Sequence, residues 1–246
     1  MTTAPHLDGR WLRRIQPRAA TVRLVCFPHA GGSAGYFAAL AERLPGVEVL
    51  AVQYPGRQDR LHEGCAPTLA GLADDLAGVL READRGPWAF FGHSMGAIVA
   101  FEVARRLTGR PAPVHLFASG YQAPSRLRGG SVHRGEDDDV LAELRTAGGT
   151  DPQWLADPAL RALLLPTVRG DYRVVETHPR SRATVDCPIT MLMGTDDPHT
   201  TPGEAAAWAE HTTGAFDLRV FEGGHFFLDR RVAELGSLIT AALTDG

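Results

Sequence analysis

Short apolar runs recur along the chain at 22–27, 47–52, 88–91, 114–118, 189–193 and 218–221, each of strand length and bounded by Gly, Pro or polar residues. Between most of them the period lengthens. Leu69, Leu72, Ala73, Leu76, Val79 and Leu80 follow one face of a helix, and Ile98, Phe101, Glu102, Ala104 and Leu107 do so less strictly. Strands alternating with helices predict an α/β protein with a mostly parallel central sheet and helices on both faces. Two helix starts are marked by a capping side chain followed by proline: Asp157-Pro158, and Thr201-Pro202-Gly203-Glu204, where Glu204 completes a capping box.

The alternation fails once, over about 121–185. Helical patterns at 140–146 and 159–168 stand there among Gly, Pro and charged residues, with no clear strand. An insertion between two strands of a parallel sheet can cover their C-terminal edge, where open α/β sheets bind ligands, so the segment is expected to be a helical lid. The acidic run Glu136 to Asp139 is read as favouring the positive end of the following helix, in preference to binding a metal.

Composition narrows the class. At 246 residues one domain spanning 1–246 is expected, and with 44% hydrophobic and 22% charged residues the chain reads as soluble and globular. No run approaches the eighteen apolar residues of a membrane span, and the first residues lack the apolar core of a leader, which points to the cytoplasm. A net charge of −4 argues against nucleic acid or an anionic membrane as partner. All 25 basic residues are arginine, and neither lysine nor asparagine occurs, a bias that GC-rich coding explains. Cys26, Cys65 and Cys187 are odd in number and widely spaced, which suits buried or idle thiols better than a disulfide framework or metal site.

The chemistry begins at Gly92-His93-Ser94-Met95-Gly96, a G-x-S-x-G motif directly after the strand at 88–91 and directly before a helix. In that context the turn is so sharp that glycine is needed on both sides, which lifts Ser94 Oγ clear of the sheet edge. Serine needs a base, and the base needs a carboxylate to hold its tautomer. In the α/β-hydrolase fold these follow the nucleophile in the order acid, then histidine. His225, after the strand at 218–221, fits the last place, whereas His199 comes too early and His93 is expected to pack around the turn. The acid is sought after the strand at 189–193, where Asp196 and Asp197 are adjacent. Spacing alone does not separate them; Asp197 is preferred and Asp196 is assigned to turn hydrogen bonding. An oxyanion hole needs two backbone amides, one from Met95 and one from the glycine-rich stretch 27–34, where Ala30 is the candidate. That stretch is no phosphate loop, since it carries neither Gly-Lys-Ser/Thr nor G-x-G-x-x-G.

FPHAGGSA at 27–34, YPGR at 54–57, GHSMG at 92–96, LPTVRGDYRVVETH at 165–178, GTDDP at 194–198 and GGHFFL at 223–228 together resemble the type II thioesterases that accompany polyketide synthases and nonribosomal peptide synthetases. The resemblance implies an α/β-hydrolase that cleaves acyl thioesters from the phosphopantetheine arm of an acyl- or peptidyl-carrier protein. It implies Ser94, Asp197 and His225 as triad and Ala30 and Met95 as oxyanion donors. A monomer is expected, with neither metal nor cofactor. Thr200 departs from it, because an apolar residue is expected there, which keeps the choice between the two aspartates open. Two other readings share the motifs: an esterase or lipase on free esters, and a non-catalytic binding scaffold, against which an intact triad argues. Carrier proteins are usually acidic and this chain is net negative, so docking is expected to use a local basic patch, with Arg126, Arg128 and Arg134 as candidates. Arginine also fills every solubilising position here, a plainer account of the same three residues.

Overall fold

Among the described residues seven strands make one sheet: Leu12–Gln16 (β1), Val22–Phe27 (β2), Val47–Val52 (β3), Trp88–His93 (β4), His115–Ser119 (β5), Ile189–Gly194 (β6) and Phe216–Phe221 (β7). They lie in the order β1-β3-β2-β4-β5-β6-β7, with β1 antiparallel to β3 and every other neighbour parallel. This computed structural model describes residues 9–17, 20–83, 87–107, 109 and 112–244. Most of the N-terminal stretch read for a leader, residues 1–8, lies outside them. No helix among the described residues is long and apolar enough to cross a membrane.

Side chains alternate across the sheet and so feed two cores. Val25 and Phe27 of β2 pack with Leu50, Phe90 and Leu116 on one face; Leu24 and Cys26 pack with Val49, Phe91 and Phe117 on the other. Helices α1 (Ala38–Glu42), α2 (Leu69–Ala83) and α3 (Met95–Arg106) follow β2, β3 and β4. The first core is covered by α2, through Leu69, Leu72, Ala73, Leu76 and Leu80, and by α3. Nearly every residue of α3 is buried, which explains its weak periodicity: a helix enclosed on all sides needs no polar face.

Between β5 and β6 the chain forms α4 (Asp137–Ala147), α5 (Pro152–Ala156) and α6 (Pro158–Glu176). Val140, Leu141, Leu144, Leu155, Leu165 and Val168 give them a small core of their own. Asp157 caps α6, accepting from Ala159 N at 2.7 Å and Leu160 N at 3.3 Å. At α4, Glu136 N donates to Asp139 Oδ2 at 2.9 Å, so the acidic run serves the helix start. Past β6 stands α7 (Pro202–Ala206), with its Thr201/Glu204 capping box, and α8 (Val232–Thr244) closes the second core through Leu235 and Ile239.

Three expectations need correction. β1 precedes the first strand read from the sequence; its five residues, LRRIQ, hold too few apolar side chains to register as a run, because an edge strand is buried only in part. Strands β4 to β7 extend one or two residues beyond the apolar runs that mark them, since ladder hydrogen bonds continue where hydrophobicity stops. Helix α6 is far longer than 159–168. It continues through Pro166, which removes one i→i−4 hydrogen bond, because the flanking Leu165, Thr167 and Val168 are buried.

Candidate active site

Ser94 joins β4 to α3 with φ 53° and ψ −123°, a conformation that few non-glycine residues adopt. The surroundings enforce it. A Cβ on Gly92 would stand 2.1 Å from Gly96 O, and one on Gly96 would stand 1.9 Å from Phe27 O, so both glycines of the motif are demanded by backbone contact. Ser94 N donates to Ser119 O at 2.8 Å, tying the turn to β5. As the first residue of α3, Met95 presents an N–H without an intrahelical acceptor beside the serine.

The loops after β6 and β7 are packed backbone to backbone. A Cβ on Gly194 would lie 2.3 Å from both Gly223 O and Gly224 O, and Asp196 N donates to Gly223 O at 2.9 Å. That packing brings His225 Nδ1 to 3.0 Å from each carboxylate oxygen of Asp197. The Asp197 side chain is enclosed and also accepts from His199 N at 2.9 Å. Asp196 turns elsewhere, accepting from Thr195 Oγ1 at 2.9 Å.

His225 stands among other rings. His93 and His199 lie 4.9 Å from it between centroids, His199 edge-on. His93 is wholly buried with Nδ1 3.0 Å from Ser119 Oγ, and burial, followed by the neighbouring His225 and His29, pushes its pKa down. His29, edge-on to Tyr36 and Phe226, is pushed down to about 3, by burial first and then by His225 and Arg57. These neighbours are therefore neutral near pH 7.

Ser94, Met95, Ala30 and His225 line one cavity of about 150 Å³ at the C-terminal ends of the strands. Its other wall is the insertion, through Val132, Glu143, Leu144 and Tyr172. Sequence reasoning did not single out Tyr121, Glu143, Tyr172 or His199 as cavity wall. Tyr172 lay inside the 165–178 motif, but the direction of each side chain depends on how the insertion docks. Of the three candidate arginines, Arg126 pairs with Glu210 and Arg128 with Glu204, while Arg134 Nε donates to His133 Nε2 at 3.2 Å. Arg128 alone of the three borders the cavity.

A mostly parallel sheet of this order, with a strained serine after β4 and a histidine and a carboxylate from the loops after β7 and β6, is the arrangement of the α/β-hydrolases. Within that class the chain belongs to the Thioesterase domain family, whose model matches residues 22–243. It is 48% identical over 248 residues to a probable cadicidin biosynthesis thioesterase of Streptomyces griseus, covering 99% of this chain and 68% of the relative. To thioesterase PikA5 of Streptomyces venezuelae it is 46% identical, covering 96% of this chain and 86% of that one. The structure of the type II thioesterase BorB from the borrelidin biosynthetic cluster matches with a TM-score of 0.87 at 46% identity, over 95% of this chain and 97% of that chain.

Proposed function

We propose that this single-domain chain is a serine thioesterase that hydrolyses acyl groups from the phosphopantetheine arm of an acyl- or peptidyl-carrier protein. The observation that carries the reading is the shared cavity. It holds a strained serine, a histidine backed by an enclosed carboxylate, and two loops able to offer N–H groups. Family membership and the likeness to a type II thioesterase of a biosynthetic cluster support the choice of thioester over ester.

Ser94 Oγ attacks the thioester carbonyl while His225 Nε2 takes its proton, and Asp197 holds Nδ1–H so that Nε2 stays the acceptor. The N–H groups of Ala30 and Met95 receive the oxyanion. Collapse breaks the C–S bond and releases the thiol, the proton returning through His225. A water deprotonated by His225 then attacks the acyl-serine and frees the carboxylic acid. A thiolate leaves more readily than an alkoxide, so His225 does its harder work in deacylation. Arg128, at the cavity's edge, is the candidate to meet the arm or the carrier; Arg126 and Arg134 stand farther from it.

Ser94→Ala should fold normally and lose kcat by roughly 10⁴ or more, as removal of other nucleophilic serines does. A folded variant keeping a tenth of the activity would remove Ser94 from the mechanism. Offered an acyl-carrier protein and a simple ester of the same acyl group, the enzyme should show the larger kcat/KM on the carrier; the reverse ranking would make it an esterase.

A further inference from the structure

Arg57, in the loop after β3, and Asp171, in α6, form an ion pair with both residues about 95% buried. Isolating such a pair from water is costly, and apolar residues of similar shape often replace it without loss of stability. Attachment of α6 to the core does not need it, since Thr167 Oγ1 already donates to Gly56 O at 2.7 Å and Val168 packs on Gly31. The acceptor oxygen has a second partner. Asp171 Oδ2 takes both the Arg57 guanidinium and Gly31 N–H, the latter at 2.8 Å.

That amide belongs to the residue after Ala30. Three consecutive peptide units are pinned there. Pro28 O accepts from Tyr54 OH at 3.3 Å, His29 O accepts from Gly32 N at 2.9 Å, and Gly31 N–H is held by Asp171. In a planar trans peptide the C=O and N–H point in opposite directions, so holding His29 O on one side sends Ala30 N–H to the other. Ala30 borders the cavity, and its N–H has no partner among the described residues. Gly31 sits at φ +76°, where glycine is conformationally free, so the loop does not hold this shape by its own stiffness.

We propose that Asp171 is a positioning residue: by gripping Gly31 N–H while paired with Arg57, it lets the lid helix α6 hold Ala30 N–H in line with the acyl oxygen. The inference rests on the proposed oxyanion role of Ala30. It makes α6 a working part of the oxyanion hole as well as a cover.

The test uses the full chain and an acyl-N-acetylcysteamine thioester, which has no carrier surface to dock. Replacing both charges with apolar groups, Arg57→Met with Asp171→Leu, avoids stranding either one and leaves Gly31 N–H without its acceptor. This double variant should keep its Tm within a few degrees and lose kcat by about 10 to 100-fold with KM within about threefold, the pattern of a weakened oxyanion donor. Asp171→Asn, whose amide oxygen can still accept from Gly31, should keep kcat within about threefold although its Tm falls. Thr167→Val, which cuts the hydrogen bond from α6 to Gly56 O, should lower Tm and leave kcat unchanged. A double variant with kcat within threefold of the parent overturns the proposal, as does an Asn variant that loses as much as the double variant. Ser94→Ala measured alongside keeps the two questions apart: activity surviving there defeats the serine-hydrolase reading itself, whatever the Asp171 variants do.

Discussion

Two adjacent carboxylates at the end of β6 meet different surroundings, and the difference is set by one glycine contact. Because Gly194 lies against Gly223 and Gly224, the two loops approach closely enough for Asp197 to face His225, while Asp196 is left at the rim with Thr195. Asp197→Asn can donate to Nδ1, leaving the proton on Nε2 and no acceptor for the serine hydroxyl. A loss in kcat on the order of 10² to 10⁴ is expected, against less than about tenfold for Asp196→Asn. Steady-state kinetics of the two variants decide it, and the opposite ranking would move the role to Asp196. In the sequence both residues satisfy the spacing, since position along a turn does not reveal which way a side chain leaves it. His225 was legible because chain order and its place after the last strand leave little competition. The Asp171 contact was not, as it joins residues 140 positions apart.

At the scale of elements, legibility followed the run of apolar side chains more than burial. Strands β2 and β3 coincide with their runs because each begins and ends on an apolar residue, whereas β4 and β6, buried throughout, end on Gly92-His93 and Gly194, and the edge strand β1, with two apolar residues in five, carries too weak a pattern to stand out. The insertion lies between these cases: α4 and α6 were foreseen and α5 was not, and the length of α6 depends on packing that local periodicity does not encode. Its core of six buried side chains is small beside the two that flank the sheet, which makes it a candidate for independent opening. Val140→Ala removes two methyl groups from that core alone, a loss on the order of 1–2 kcal/mol. Amide hydrogen exchange in α4, α5 and the first half of α6 should quicken by roughly tenfold, with the sheet unaffected. Amides near Asp171 should remain protected, because the Thr167 hydrogen bond and the packing of Val174 and Val175 in the main core attach that stretch. Uniform acceleration across the whole chain would show that insertion and sheet unfold together.

The whole molecule carries a pH dependence that its buried imidazoles dictate. Burial holds His29 to about 3 and His115 to about 4, and also lowers His93, His199 and His211. In the unfolded chain each would titrate near 6.5. Below that pH the unfolded state takes up protons that the folded state refuses, so folding stability falls as pH falls, from about 6.5 down through these lowered values. Each withheld proton adds a slope of about 1.4 kcal/mol per pH unit, and wholly buried His93 exerts nearly all of its share. On the alkaline side burial raises Tyr54, Tyr121 and the Cys26 thiol above their ordinary values, so stability declines once unfolded thiols and phenols ionise, above about pH 9. A plateau from about pH 7 to 9, with a steep acid limb, is expected in urea unfolding. His115→Gln isolates one contributor away from the cavity, because the amide can keep the bond that His115 Nε2 makes to Thr190 Oγ1 at 2.9 Å. Its acid limb should be shallower by about one proton while activity at pH 8 is unchanged. Stability that stays level from pH 7.5 to 5 in the parent would mean that the imidazoles protonate within the fold, and an unaltered slope in the variant would assign that proton to another histidine.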